Sequence, residues 1–388
     1  MRLTCMVVLA VALARIAPVF ISAAAAQVLE APAPVVPPAL TEVVEPEPPP
    51  PPPPAAPDFD FEAGVPANWQ PAVGEAALQM AQVRENVAGG AGALECVYAP
   101  FCIVSAGNLT PQPDARSLRF SLKITEPTNA VYGVREADGS EYQSFCYVPG
   151  GAWQQIALDL SELVLAQGGD DENGQLDVDQ IEAVMVGDLA NLQGEVGEAL
   201  GQKMGQQTLW LDDVKLSPAP APSRAGAAGP GTLVVDTFDG PQVNCLAIGG
   251  AHLAPAGGGQ AGALQATYSL GAGRWVGFVT GIGHLNLGQA TSVKMRVRAP
   301  QATSLVLVLE ERDGTKYETR LELAGGEQWE ELTFPIANFI LDDDSQDENA
   351  ALDLAQMRVM ILLCDMLTSG VDVLGKGSLA IDQIAFQP

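Results

Sequence analysis

The chain repeats itself, and this constrains its fold more than any other feature. Phe61-Glu62-Ala63-Gly64 is answered by Phe238-Asp239-Gly240, Gly92-Ala93-Leu94 by Gly262-Ala263-Leu264, and Ser117-Leu118-Arg119-Phe120 by Ser292-Val293-Lys294-Met295. Asp138-Gly139 with Tyr142 then matches Asp313-Gly314 with Tyr317, and Trp153 matches Trp329. Asp171-Glu172-Asn173 with Leu176-Asp177 matches Asp347-Glu348-Asn349 with Leu352-Asp353, and Leu209-Trp210-Leu211-Asp212 matches Leu379-Ala380-Ile381-Asp382. The matches keep their order, and their spacing drifts only by loop lengths. Self-similarity of this kind means two copies of one structural unit, at 58–217 and 233–388. A unit of about 150 residues can bury a core of its own.

Each copy reads as strands. Leu118, Phe120 and Leu122 alternate with polar residues, as do Val293, Met295 and Val297, a period of two that marks strands with one buried face. The unbroken apolar run Leu305 to Leu309 predicts a strand covered on both faces. Asp138-Gly139 and Asp313-Gly314 are hairpin turns. Glu195 to Met204 predicts a short helix, an insertion that copy two lacks. The pattern predicts an all-β chain of two tandem jelly-roll β-sandwiches. Between them, 218–232 is a Pro/Gly/Ala-rich stretch that reads as a flexible linker.

Upstream, residues 1–26 read as a signal peptide: Arg2, the apolar run Met6 to Ala14, then small residues Ser22 to Ala26. Residues 27–57 follow as a low-complexity segment in which Pro48 to Pro54 form a polyproline II spacer. Secretion, the periplasm or the cell surface is therefore the expected location, with no membrane span after signal removal. The formal charge of −28 excludes a basic nucleic-acid surface and disfavours anionic lipid. Once Cys5 leaves with the signal, five cysteines remain. Cys96 and Cys102 are close enough in sequence for a small-loop disulfide, and buried free thiols are the other reading.

In each copy an acidic Phe-Glu/Asp segment, a strand, an Asp-Gly turn with its Tyr, a Trp ahead of an amphipathic strand, a Leu-Asp loop and a last strand of form apolar-x-apolar-Asp-x-apolar follow in order. This order resembles galactose-binding-domain-like β-sandwiches, in particular family-11-type carbohydrate-binding modules and complex I intermediate-associated protein 30 domains, over nearly all of both copies. The resemblance implies poly- or oligosaccharide binding. It also implies a structural Ca²⁺ where first and last strands meet, with Asp60, Glu62 and Asp212 in copy one and Asp236, Asp239 and Asp382 in copy two. The bland reading of the same acids is strand ends and turn caps.

Sugar recognition needs aromatic platforms and polar groups. Trp153 and Trp329 read as core. Trp210, opposite in phase to Leu209 and Leu211 and replaced by Ala380 in copy two, is a ligand candidate. Tyr132, Arg135, Tyr142 and Tyr147 are the further candidates of copy one, and Trp275, Arg296, Tyr317 and Arg320 those of copy two. The acidic loop at Asp171 fails as an EF-hand, because Gly169 and Gln180 occupy its first and last positions, and it reads as an exposed Asx-type turn. The only histidines are His252 and His284, so copy one has no Ser-His-Asp set, and the glycines around Gly277 precede no helix. A non-catalytic glycan-binding protein is the expectation. A structural or adhesive cell-surface protein is the alternative, and a glycan-active enzyme comes third.

Overall fold

The computed structural model describes residues 59–73, 78–99, 101–166, 169, 171, 173–190, 200, 205–224, 231–256, 262–270, 276–347, 349–365 and 375–388. The residues read as a signal peptide, the proline run, Trp275 and, apart from Leu200, the helix expected at Glu195 to Met204 lie outside them.

Copy one contributes β1 (Trp69–Val73), β2 (Gln79–Val83), β3 (Ala93–Tyr98), β4 (Cys102–Ala106), β5 (Ser117–Ile124), β6 (Thr128–Glu136), β7 (Glu141–Val148), β8 (Gln154–Asp159), β9 (Val164–Leu165), β10 (Ile181–Asp188) and β11 (Gln207–Ser217). They form a six-stranded sheet β1-β4-β10-β6-β7-β9 facing a five-stranded sheet β2-β3-β11-β5-β8. Copy two contributes β12 (Leu233–Asp236), β13 (Leu246–Ile248), β14 (His252–Pro255), β15 (Leu264–Leu270), β16 (Val276–Gly281), β17 (Ser292–Arg298), β18 (Thr303–Glu311), β19 (Lys316–Leu323), β20 (Glu330–Pro335), β21 (Ile340–Leu341), β22 (Met357–Asp365) and β23 (Gly375–Gln387). Its sheets run β13-β16-β22-β18-β19-β21 and β14-β15-β23-β17-β20, with β12 added on β23. Strand for strand the two orders are the same, so the duplication seen in sequence is a duplication of topology.

Period-two alternation fills each sandwich. Leu118, Phe120, Leu122 and Ile124 of β5 meet Ala130, Tyr132 and Val134 of β6 inside copy one. Val293, Met295 and Val297 meet Leu305, Leu307 and Leu309 inside copy two. The hairpins turn where expected, with Gly139 at φ 96° and Gly314 at φ 94°, a left-handed backbone that glycine adopts without strain.

The six-stranded sheets also bury their outer faces, and they do so on each other. Ile103, Val131, Phe145 and Met185 of copy one pack with Val306, Val308, Val359, Ile361 and Leu363 of copy two. This explains the apolar run in β18: odd-numbered residues face their own core and even-numbered ones face the other copy. Backbone bonds reinforce the contact. Asn129 lies fully buried, and its amide donates to Ala247 O (2.9 Å) and accepts from Ala247 N (2.7 Å). Tyr147 N donates to Val243 O at 2.9 Å.

The described part of the linker is not the free tether its composition suggests. Ser117 Oγ and Arg119 hold the carbonyls of Ala219 and Pro220, and Arg224 pairs with Glu162 and, at 3.6 Å, with Asp236. The five described cysteines are free and buried, which decides between the two readings of Cys96 and Cys102. No helix among the described residues is long and apolar enough to cross a membrane.

An unpaired charge buried between the sheets costs several kcal/mol, and it can be relieved by undocking rather than unfolding. Val308→Asp is therefore expected to split one calorimetric unfolding transition into two and to enlarge the particle in small-angle X-ray scattering. An unchanged single transition at unchanged dimensions would show that the interface does not couple the copies.

Candidate functional site

The acids of the first and last strands are already engaged. Asp60 Oδ1 accepts from Glu62 N (3.1 Å), and Glu62 Oε1 accepts from Ala91 N (2.6 Å) and Gly92 N (3.2 Å). Asp212 Oδ2 accepts from Ala88 N (3.0 Å) and Gly89 N (3.2 Å), and its Oδ1 from Asp213 N (2.8 Å). In copy two, Asp236 Oδ1 accepts from Phe238 N (2.7 Å), Asp239 Oδ1 from Gly262 N (2.8 Å), and Asp382 receives Arg296 Nη1 at 2.7 Å. A Cβ at Gly262 would lie 2.1 Å from Phe238 O, so only glycine fits where the opening loop crosses. Ca²⁺ wants six to eight oxygens turned toward it. Here each of these carboxylates takes an N–H or guanidinium donor on at least one oxygen, and through it staples loops together with or without an ion. Chelation with EDTA is expected to leave the melting midpoint unchanged, as followed by circular dichroism.

The acidic loops are also structural, and in the same way twice. Tyr142 donates to Asp171, and Tyr317 donates to Asp347. Asp171 and Asn173 accept from the amides of Asn173 and Gln175, and Asp347 and Asn349 from those of Asn349 and Ala351. These are the Asx turns expected from the sequence. Glu136, Asp138 and Asp171 bring carboxylate oxygens within 4.8 Å of one another, but they bond the Asp177 amide, the Ser140 amide and Tyr142 respectively.

The aromatic candidates separate by burial. Tyr132 is a core ring, 5.3 Å from Phe120 between centroids. Tyr142 and Tyr317 are buried on their aspartates. Tyr147 is buried against copy two, where its hydroxyl meets His252 Nδ1 at 3.1 Å. Tyr132 and Tyr142 lie on the inner face that alternation assigns to copy one's own core; for Tyr147, alternation gave no sign that the outer face of β7 would be covered by the other copy. Trp210 does face outward, on the five-stranded sheet, where Nε1 donates to Glu95 (2.8 Å) and Lys123 sits 5.1 Å above the ring. Trp153 and Trp329 are half-buried rather than core, because they precede the edge strands β8 and β20. Arg296 and Arg298 cover the Trp329 ring at 5.5 and 5.1 Å. Among the described residues no aromatic ring lies fully exposed.

The charged candidates form a pattern of their own. Arg135 pairs with Glu182 at 3.0 Å and sits opposite Glu141 across the β6–β7 ladder. At the equivalent places of copy two, Glu310 pairs with Arg358 and sits opposite Lys316. The signs are inverted: minus-plus-minus in copy one, plus-minus-plus in copy two. Arg320 pairs with Glu318 at 3.4 Å on the same outer face.

A cleft of about 670 Å³ opens along the seam between the sandwiches, a volume in the range of small-molecule sites, which favour domain interfaces. Copy one supplies the 3₁₀ turn Leu160–Glu162, whose Asp159 cap accepts from Ser161 N and Oγ, together with Arg116, Tyr142 and Gln175. Copy two supplies His284, Arg312 and Arg358. The copies touch closely here: a Cβ at Gly283 would lie 3.0 Å from Val164 Cγ1. Burial, seconded by the nearby Arg224, holds His284 down at about 4, so the imidazole is neutral, and its buried Nδ1 has no hydrogen-bond partner. Sequence reasoning missed Arg116 and Arg312 because they are not repeated; each copy supplies one wall.

No protein-family model and no curated protein matches the chain. Solved structures do match. A family 11 carbohydrate-binding module from Clostridium thermocellum, in complex with a beta-1,3-1,4-mixed-linked tetrasaccharide, shares 14% identity over 41% of this chain and 97% of its own, with a TM-score of 0.32. The N-terminal CBM22 tandem domain of Paenibacillus barcinonensis Xyn10C shares 13% identity over 85% of this chain and 97% of its own, at 0.29. An exo-beta-agarase shares 15% over 42% of this chain and 25% of its own, at 0.31. At these identities and scores neither a site residue nor a ligand is carried across to this chain.

Burial pushes the Glu136 and Glu141 carboxyls up to about 7, and raises Asp188 and Asp342 too. The fold thus holds protons that the unfolded chain releases near 4.5. This stabilisation is full below 4.5 and lost as pH rises through about 7. His284 acts oppositely: its contribution is full above 6.5 and lost as pH falls toward 4. The carboxyls outnumber the imidazole, so the thermal midpoint is expected to rise as pH is lowered from about 7 to 4.5. Glu141→Gln should flatten that rise, and a midpoint that falls across the window would contradict the assignment.

Proposed function

We propose that this chain is a non-catalytic glycan-binding protein, exported by its N-terminal segment, whose ligand site is the cleft between its two sandwiches. The observation that carries the reading is the cleft itself. It is sugar-sized, and Arg116, Asp159, Gln175, His284 and Arg312 give it donors and acceptors around an apolar floor that includes Leu176 and Met357. Hydroxyl recognition needs such convergent polar groups. The sequence resemblance to carbohydrate-binding modules supports the ligand class. On this reading the two copies make one shared site rather than two independent ones.

The non-catalytic part rests on how the cleft's side chains are paired. Ser161 donates to Asp159, so the serine is not set on the imidazole as a nucleophile on its base would be. Among the described residues His284 Nδ1 has no hydrogen-bond partner, so neighbouring Asp159, which accepts from Ser161, does not fix the imidazole through that nitrogen.

The structural or adhesive alternative has one observation in its favour: both six-stranded sheets are consumed in the contact between copies. Glycan arrays and affinity gels test the choice. Retention on at least one glycan is expected, with Arg312→Ala and Gln175→Ala each weakening it by about tenfold, roughly 1.4 kcal/mol, while Trp210→Ala on the far sheet has little effect. Absence of retention on every polysaccharide, together with specific capture of a surface protein, would give the structural reading instead.

A further inference from the structure

Arg116 and Arg312 enter the cleft from different copies. Arg116 lies just ahead of β5, where its backbone holds Ser217 O and Leu160 N at 2.8 Å. Arg312 stands at the β18–β19 turn and reaches across the seam, its Nη1 passing over Gly174 of copy one. Both side chains are exposed, and among the described residues neither has an ion-pair partner. The neighbouring arginines are committed: Arg224 to Glu162 and Asp236, Arg358 to Glu310. In a chain with 47 acids and 19 bases, two guanidiniums without an ion-pair partner line one cavity, against a single lining carboxylate, Asp159.

We infer that the cleft takes an acidic sugar, one bearing a carboxylate or sulfate, with that group held by Arg116 and Arg312. The inference rests on the glycan reading above and specifies its ligand. A guanidinium matches planar oxyanions through two parallel N–H bonds. His284 adds an uncharged polar contact that does not repel the sugar's hydroxyls. Asp159 also lines the cleft and opposes an anion beside it, but its Oδ1 is turned to Ser161. The chain's overall negative charge sets the size of the ligand. Beyond about 8 Å its field is screened at physiological salt, so one acidic residue fits where a long polyanion would be repelled by the surrounding surface.

Isothermal titration calorimetry of the full chain with a galactose trisaccharide in which one residue is galacturonate, the same trisaccharide methyl-esterified at that residue, and a monosulfated galactose disaccharide tests this. The acidic sugars are expected to bind about tenfold or more tightly than the ester, with affinity falling as salt is raised. Arg116→Ala and Arg312→Ala should each abolish that preference, whereas Lys215→Ala, equal in charge but on the far sheet, should not. Unchanged thermal midpoints keep the comparison free of folding effects. If the ester or neutral glycans bind as well as the acids while Gln175→Ala still weakens them, the acidic inference fails and the glycan reading stands. If no sugar binds, both fall.

Discussion

Leu305, Leu307 and Leu309 leave β18 on one side and Val306 and Val308 on the other, and both sets are dry. A sheet of this kind has no solvent face. Each fully buried aliphatic side chain contributes roughly 1.5–3 kcal/mol, so a second covered face is a large gain that a lone sandwich would forgo. It also shapes the surface. With the outer faces of the six-stranded sheets closed on each other, the five-stranded sheets keep an outward face, and at the rim of the contact β9, the turn at Leu160 and the 283–284 segment leave a gap. The cleft is a by-product of two curved sheets meeting.

The same contact explains how the two copies diverged. Scaffold residues stayed alike: the tyrosine–aspartate bonds, the crossing glycines Gly92 and Gly262, and the left-handed Phe61 and Phe238 at φ 54° and 55°. Buried polar positions did not. Asp188 takes hydrogen bonds from Tyr98 and Thr128 in copy one. In copy two the corresponding strand places Cys364 beside Tyr268. The triad around Arg135 has its signs exchanged around Glu310, and both versions keep every charge beside an opposite one. A buried charge without its partner costs more than the pair contributes, so such positions change together or not at all.

The sequence was most legible where one rule acts alone. Alternation along β5 and β17, the Asp-Gly turns and the repeat itself each follow from local physics, and together they specify two sandwiches. The apolar run of β18 even announced a second covering without naming what covers it. The binding candidates read less well because a tyrosine on a strand looks the same whether it faces water, a core or another domain. Alternation puts Tyr142 and Tyr147 on opposite faces of β7, but it does not say which face meets the copy's own core and which the other copy. Arg116 and Arg312 carry no repeat signature, since they line one cleft from different copies, across a contact that only the folded chain assembles. The acids of the first and last strands read as metal ligands or turn caps; the amides and guanidiniums that bond them account for the cap role.

The Asn129–Ala247 amide pair and the apolar seam around it make the tandem less modular than a duplicated sequence implies. Cut in the segment between the copies, the chain would yield two fragments that each carry one half of a matched surface and recognise each other by it. The connection then sets concentration rather than structure: a short tether holds its ends together at an effective millimolar level, while the specificity of the pairing resides in the faces. Such a protein behaves as a heterodimer that happens to be encoded as one chain.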